Sequence, residues 1–321
     1  MQRLFLLLGM MLPVMVFSQE YSYRTLEFNL QDEAKLRSLT YKNLRVYPIK
    51  AKATFKEQTK NIVKYTSLKE ALEKKKIRIT EKEGKGEGAE VNTLYAQNTS
   101  SDTLFLMAGE VIQGGKQDRV IGEDVVIPPN KDKVKLPVFC VEHGRWSTAG
   151  RSTGNNFNGY FAVSGLSVRK AVEVDKNQSK VWEKVADGNK KNKVNTSTGT
   201  YTALASASDY QKIEQEYFST LQPKLAEEKD IIGVIIASGD KVIGCEIFAT
   251  EQLFRKSFDN LLRSYIHEAV TNGKPVTISS ATVKAYMDHL LLDQRDQEAR
   301  IKSKGKVFVS EGKKLHIATY E

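Results

Sequence analysis

Cysteine and histidine are both scarce in this sequence. Of 321 residues only Cys140 and Cys245 are cysteine, and the four histidines stand singly at 143, 267, 289 and 316. No histidine has a metal-ligand spacing, so a zinc site would need ligands from distant segments. The two cysteines lie in apolar, strand-like runs, PVFCVE and VIGCEIF, where a free thiol packs as a small hydrophobe. In an oxidising compartment a Cys140–Cys245 disulfide would close a long loop and contribute about 4 to 5 kcal/mol. Both states remain open at this level.

Long apolar runs are equally rare. The one near the start, within MQRLFLLLGMMLPVMVFS, extends from Leu4 to Phe17 after a single positive charge at Arg3. It is shorter than the roughly 20 residues a spanning helix needs, and Val16 and Ser18 suit a signal peptidase. The expectation is a secretory signal peptide over 1–18, cleaved after Ser18, with a periplasmic or extracellular mature chain and no transmembrane segment. No cysteine follows the run, which closes the lipoprotein route.

Removing Arg3 leaves 48 Lys and Arg against 39 Asp and Glu, a formal +9. The excess is mostly lysine in short scattered runs, at 74–76, 131–135 and 190–193. Lysine without clustered arginine or interleaved aromatics is a poor nucleic-acid signature, so nucleic acid is not an expected partner. Solvated faces account for such runs more simply than attraction to an anionic surface does.

The mature length of about 300 residues suits one large core or two smaller ones. NLRVYPIKA (43–51) reads as a strand, and so do IRIT, AEVNTLYAQ, TLFLMAGEVI, DVVIPP and KVKLPVFCVE, separated by turn residues. Ser67 and Glu70 form a capping box before LKEALEKKK, and EKEGKGEG (81–88) reads as a solvated loop. STAGRSTGNNFNGY (147–160) is too rich in Gly, Ser, Thr and Asn for a regular element. Helices are expected at 179–186, from Asp209, from Thr250 to about Asn272 and from about Ala281 to Asp293. IIGVIIASGDKVIGCEIFA and KVFVSEGKKLHIATY read as hairpins. The fold class is therefore α+β: an antiparallel β-rich N-terminal half (19–146) and a mixed hairpin-plus-helix C-terminal half (147–321), forming one unit over 19–321.

GEVIQGGKQDRV (109–120) invites comparison with a phosphate loop. A Walker loop has glycine five positions before the glycine that precedes lysine, then Ser or Thr. Here Glu110 stands at the first position and Gln117 follows Lys116. No GxGxxG precedes a helix either, and no cofactor motif is present. What remains is a polar group, Glu110, Gln113, Lys116, Gln117, Asp118 and Arg119, on a bend that two glycines permit. Its counterpart is CVEHGRW (140–146), where Glu142, His143, Arg145 and Trp146 leave an apolar strand. If the strands are neighbours, the two polar ends meet beside the glycine-rich stretch.

These segments, with VVIPP, GLSVRKAV, KVWEKV and the VIIASGDKVIGCEIFAT to LLRSYIHEAV block, resemble the ARG and rhodanese-phosphatase-superfamily-associated protein domain of bacteria. The resemblance spans nearly all of the mature chain, with His143 where glutamine is more usual. It implies no established activity, cofactor or catalytic residue.

Three readings follow from the residues. As a binding site, Lys116, Arg119 and Arg145 donate to an anionic or glycan ligand, Glu110 and Glu142 orient them, and Trp146 offers a stacking face. As a hydrolase-type enzyme, Cys140 or a loop serine would attack with His143 as base, or Glu110 or Glu142 would serve in acid-base chemistry. Strand alternation opposes the Cys140–His143 pairing, since the two point to opposite faces. As structure alone, the same charges lock a bend.

Overall fold

The computed structural model describes residues 19–81, 91–145, 154–291 and 294–321. The expected signal segment, most of the 81–88 loop, and Trp146 with the first part of the glycine-rich stretch lie outside the described residues.

The chain starts in one sheet, leaves it, and returns. Leu26–Glu27 (β1), Glu33–Ser38 (α1), Thr40–Tyr41 (β2), Leu44–Ala51 (β3) and Ala53–Thr59 (α2) come first. The excursion comprises Tyr65–Ser67 (β4), Leu68–Glu73 (α3), Ile77–Thr80 (β5), Thr93–Asn98 (β6), Thr103–Leu106 (β7), Glu110–Gly114 (β8), Arg119–Ile121 (β9), Val125–Ile127 (β10), Val134–Cys140 (β11) and Asn156–Val163 (β12). Leu166–Glu173 (α4), Gln178–Lys191 (α5), a 3-10 turn at Tyr201–Ser206 and Ser208–Ala226 (α6) lead back. Ile231–Ser238 (β13), Lys241–Phe248 (β14), Glu251–Asn272 (α7), Ser280–Leu291 (α8), Gln294–Ile301 (α9), Gly305–Ser310 (β15) and Lys313–Tyr320 (β16) complete the chain.

The central sheet runs β1-β3-β13-β14-β16-β15, with β2 beside β3, all antiparallel. Every residue of IIGVIIAS in β13 is buried, because helices cover both faces. Phe254, Leu261, Leu262 and Tyr265 of α7 pack on one face, with Leu221 of α6 behind them. Val283 and Met287 of α8 and Phe55 of α2 pack on the other. The helix expected over 250–272 is α7, which buries an apolar stripe and whose start is fixed by Thr250 Oγ1 accepting from Leu253 N at 3.1 Å.

The excursion closes on itself as a barrel, in the order β11-β6-β5-β12-β8-β9. Closure removes the exposed edges an open β layer would present. Beside it lies a three-stranded sheet, β10-β7-β4, in which β4 and β7 are parallel. The α+β class with a β-rich N-terminal half and a helix-containing C-terminal half is borne out, and the central sheet and the barrel both draw strands from either side of residue 146. Residues 44–51 pair with β13, and 156–163, read from sequence as irregular, close the barrel. TLFLMAGEVI likewise divides into β7 and β8 at a turn over Met107–Gly109. No helix among the described residues is long and apolar enough to cross a membrane.

Candidate functional site

The two polar segments do meet. Strand β9 pairs with β11, with Arg119 opposite Cys140, and β8 pairs with β9, so 114–119 and 140–145 share one end of the barrel. The bend between β8 and β9 depends on its glycines. At Gly114 (φ +150°) a Cβ would sit 2.2 Å from Asn156 O, and at Gly115 (φ +51°) it would sit 2.6 Å from the Phe157 ring. Any side chain here would force the turn away from β12.

Asp118, fully buried, organises this end. Its Oδ1 accepts from Gly114 N at 3.4 Å, and its Oδ2 from the hydroxyls of Thr200 and Thr202 at 3.4 and 3.1 Å. Glu142, also buried, accepts from Asp118 N at 3.3 Å and from Arg145 Nε at 3.0 Å. Burial alone would raise the Glu142 pKa, but the Arg145 guanidinium holds it below the usual carboxylate range. Arg145 Nη1 also donates to Gly115 O at 3.4 Å, and Lys116 N donates to Glu81 Oε1 at 2.8 Å. Arg119 is buried against the bend, with Nη1 donating to Gln117 O at 2.7 Å. Burial lowers its pKa, partly offset by the carboxylates nearby.

Among the expected residues, Gln117, Asp118, Arg119 and Glu142 are therefore wall, while Gln113, Lys116 and Arg145 are half-buried and His143 is exposed. The His143 ring meets Trp182 of α5 edge-on, with centroids 4.5 Å apart. Two contributors were not legible in the sequence. The threonine-rich 198–202 segment supplies the hydroxyls on Asp118 and a backbone bond from Gly144 N to Thr198 O at 2.7 Å. Gln178 clasps the Cys140 backbone, accepting from its N–H and donating to its carbonyl, each at 2.8 Å.

Glu110 does not belong to this group. A five-residue strand separates its ends by about 14 Å, and Glu110 stands at the far end of β8 from the bend. There it accepts from Met107 N at 2.8 Å and lies in a second, wholly buried cluster that joins barrel to sheet. Arg169 of α4 forms an ion pair with Glu246 of β14. His316 of β16 binds Asp124 through Nδ1 at 2.7 Å, with Nε2 3.4 Å from Glu246, and stacks on Phe248 at 4.2 Å. Asp124 accepts from Ala108 N at 2.8 Å, and Tyr320 donates to Glu173 at 2.7 Å. Arg169 crosses directly over Gly109 (φ +89°), where a Cβ would be 2.6 Å from its Cγ. Burial raises Glu110 to about 8 and Glu173 to about 7. Burial would lower His316, but Asp124 and Glu246 outweigh it and raise it to about 10. The sequence did carry a sign of this cluster: charged residues inside the apolar runs VIGCEIF and KLHIATY.

Cys140 and Cys245 are both free and buried, one in the barrel and one in the central sheet, so the disulfide considered from sequence is not formed. Burial raises both thiols, opposite to what an attacking thiolate needs. Among the described residues no group of three or more His, Cys, Asp or Glu could hold a metal ion.

No curated protein and no solved structure matches the chain. A family model does, over residues 35–319, which takes in the central sheet apart from β1, the barrel and most of both polar clusters. The chain belongs to the family described as the ARG and Rhodanese-Phosphatase-superfamily-associated Protein domain.

Proposed function

We propose that this chain is an exported binding protein whose barrel end takes a small anionic or sugar-like ligand at Lys116, His143 and Arg145. One observation supports the reading: the polar groups at this end lie at different depths. Asp118, Glu142 and Arg119 are buried and engaged with loop backbone, hydroxyls and Arg145, whereas Lys116 and Arg145 are half-buried and His143 is exposed above them. Arg145, held by Glu142 and Gly115 O, and His143, against Trp182, would lose little side-chain freedom on meeting an anion or the hydroxyls of a sugar.

The enzyme reading fares worse. A nucleophile must reach its substrate, and Cys140 has no exposed surface and a raised pKa. Glu142 is committed to Arg145 and the Asp118 amide, and Glu110 is sealed in the other cluster. The structural reading suits the buried residues and the Arg145–Glu142 pair.

Calorimetric titration with galacturonate, an anionic sugar, tests the proposal. Saturable binding is expected, weakened at least tenfold in Lys116→Ala with an unchanged Tm. No heat of binding to galacturonate, or equal binding by that variant, would overturn it. Export is checked separately: mass spectrometry of the secreted chain should find Gln19 at its N-terminus.

A further inference from the structure

We infer that the cleft between α4, the β13–β14 turn and the C-terminal end of α7 is a second binding site, made for a small anion with an apolar body. Its volume of about 390 Å³ falls within the roughly 300–1,000 Å³ typical of small-molecule sites. Its floor is apolar, formed by Leu166, Ile243 and Tyr320, and Lys170, Lys241 and Lys274 stand round it.

The charges lining the cleft are evenly mixed by count, but their engagements are not. Glu268 is occupied, accepting from Ser167 N at 3.0 Å and from Asn272 Nδ2 at 2.7 Å. Glu321 pairs with Lys304 at 2.5 Å, and Asp175 with Lys180 at 3.3 Å. Lys184, the fourth lysine, pairs with Glu183 at 2.8 Å. Among the described residues no carboxylate lies within ion-pair distance of Lys170, Lys241 or Lys274. Lys170 is held over the floor by its contact with Tyr320 O at 3.4 Å. Three lysines thus face the cleft against two carboxylates with no ion-pair partner among the described residues, Asp240 at the hairpin tip and Glu268, whose two oxygens are already hydrogen-bonded, which leaves an excess of one positive charge.

Cations around an apolar recess select for charge and shape together. A carboxylate, sulfonate or phosphate group would lie among the ammonium groups, and a flat or branched apolar body would cover the floor. A free inorganic ion would leave that floor wet, and a neutral apolar molecule would leave the lysines unmatched.

The probe is 8-anilinonaphthalene-1-sulfonate, which combines a sulfonate with an aromatic body and fluoresces when shielded from water. One-to-one saturable binding is expected to the full mature chain. The double variant Lys241→Met, Lys274→Met replaces two exposed side chains, so its Tm should not change while its affinity falls at least tenfold. Neutral N-phenyl-1-naphthylamine should also bind the wild type at least tenfold more weakly. Lys116→Ala should leave the sulfonate affinity unchanged, which separates this site from the barrel end. Absence of saturable binding, equal affinity in the double variant, or equal binding of the neutral amine would overturn the inference. So would a loss confined to Lys116→Ala.

Discussion

Replacing Glu110 by glutamine should change how stability depends on pH far more than it changes stability at any one acidic pH. The carboxyl is buried between the Met107 amide and the Arg169 cluster, and burial raises its pKa from 4.5 to about 8. Between pH 5 and pH 7 the folded chain therefore keeps this proton while the unfolded chain has released it. The folded state binds more protons, so stability is fully present below the unfolded pKa and is lost as pH rises through the folded value. The loss is about 1.4 kcal/mol per pH unit for one group, or about 3 kcal/mol across those two units. Glu173, raised to about 7, and His316, raised to about 10, act in the same direction. Comparing the variant with the wild type cancels their common part. Glutamine keeps an acceptor for Met107 N but does not titrate. Urea unfolding at pH 5, 6 and 7 should show Glu110→Gln gaining on the wild type by about 3 kcal/mol over the series. A difference independent of pH would mean that Glu110 is ionised in the fold, and would refute the assignment.

Three further outcomes follow from the same contacts. Gly109→Ala places a Cβ against Arg169 at positive φ and should cost about 3 kcal/mol in urea unfolding, whereas Gly312→Ala, also at positive φ but with nothing within 4 Å, should cost about 1. Asp118→Ala strips acceptors from Gly114 N, Thr200 and Thr202 and should lower stability by about 2 to 4 kcal/mol; a loss under 0.5 would mean the bend does not depend on it. Both thiols should resist Ellman's reagent in the folded protein and react as two after unfolding without reductant; no reaction after unfolding would reveal a disulfide.

The sequence carried its local relations well and its distant ones poorly. The β13–β14 hairpin, the α7 stripe and the cap at Ser67 each depend on neighbours within a few residues, and each formed. Even there the capping box is only half made: Ser67 accepts from Glu70 N, while the Glu70 side chain reaches Lys74 and Lys256. Pairing of 44–51 with 231–237 is set by packing across almost two hundred residues, for which no local signal exists. NFNGY looks irregular because its glycine and asparagines lie in a strand with register shifts at Phe157–Gly159 and Tyr160–Ala162. The candidate site was half legible. Adjacency in β9 and β11 brought Asp118, Arg119, Glu142 and Arg145 together as expected. Adjacency along β8 misled, since Glu110 and Lys116 are near in sequence but leave opposite ends of one strand. Asp124, in the turn before β10, meets Arg169, Glu246 and His316 from three separate elements, and only Glu246 and His316 stood out, as polar residues inside apolar runs.

The central claim is that the rim of the barrel end, and not the buried network beneath it, meets a ligand. Amide chemical-shift mapping during titration with galacturonate tests this most directly. The account predicts saturable shifts concentrated at 113–116 and 143–145 and at Trp182, with the amides around Glu110, Arg169 and His316 unmoved. Shifts confined to other surfaces, or none at saturating sugar acid, would contradict it.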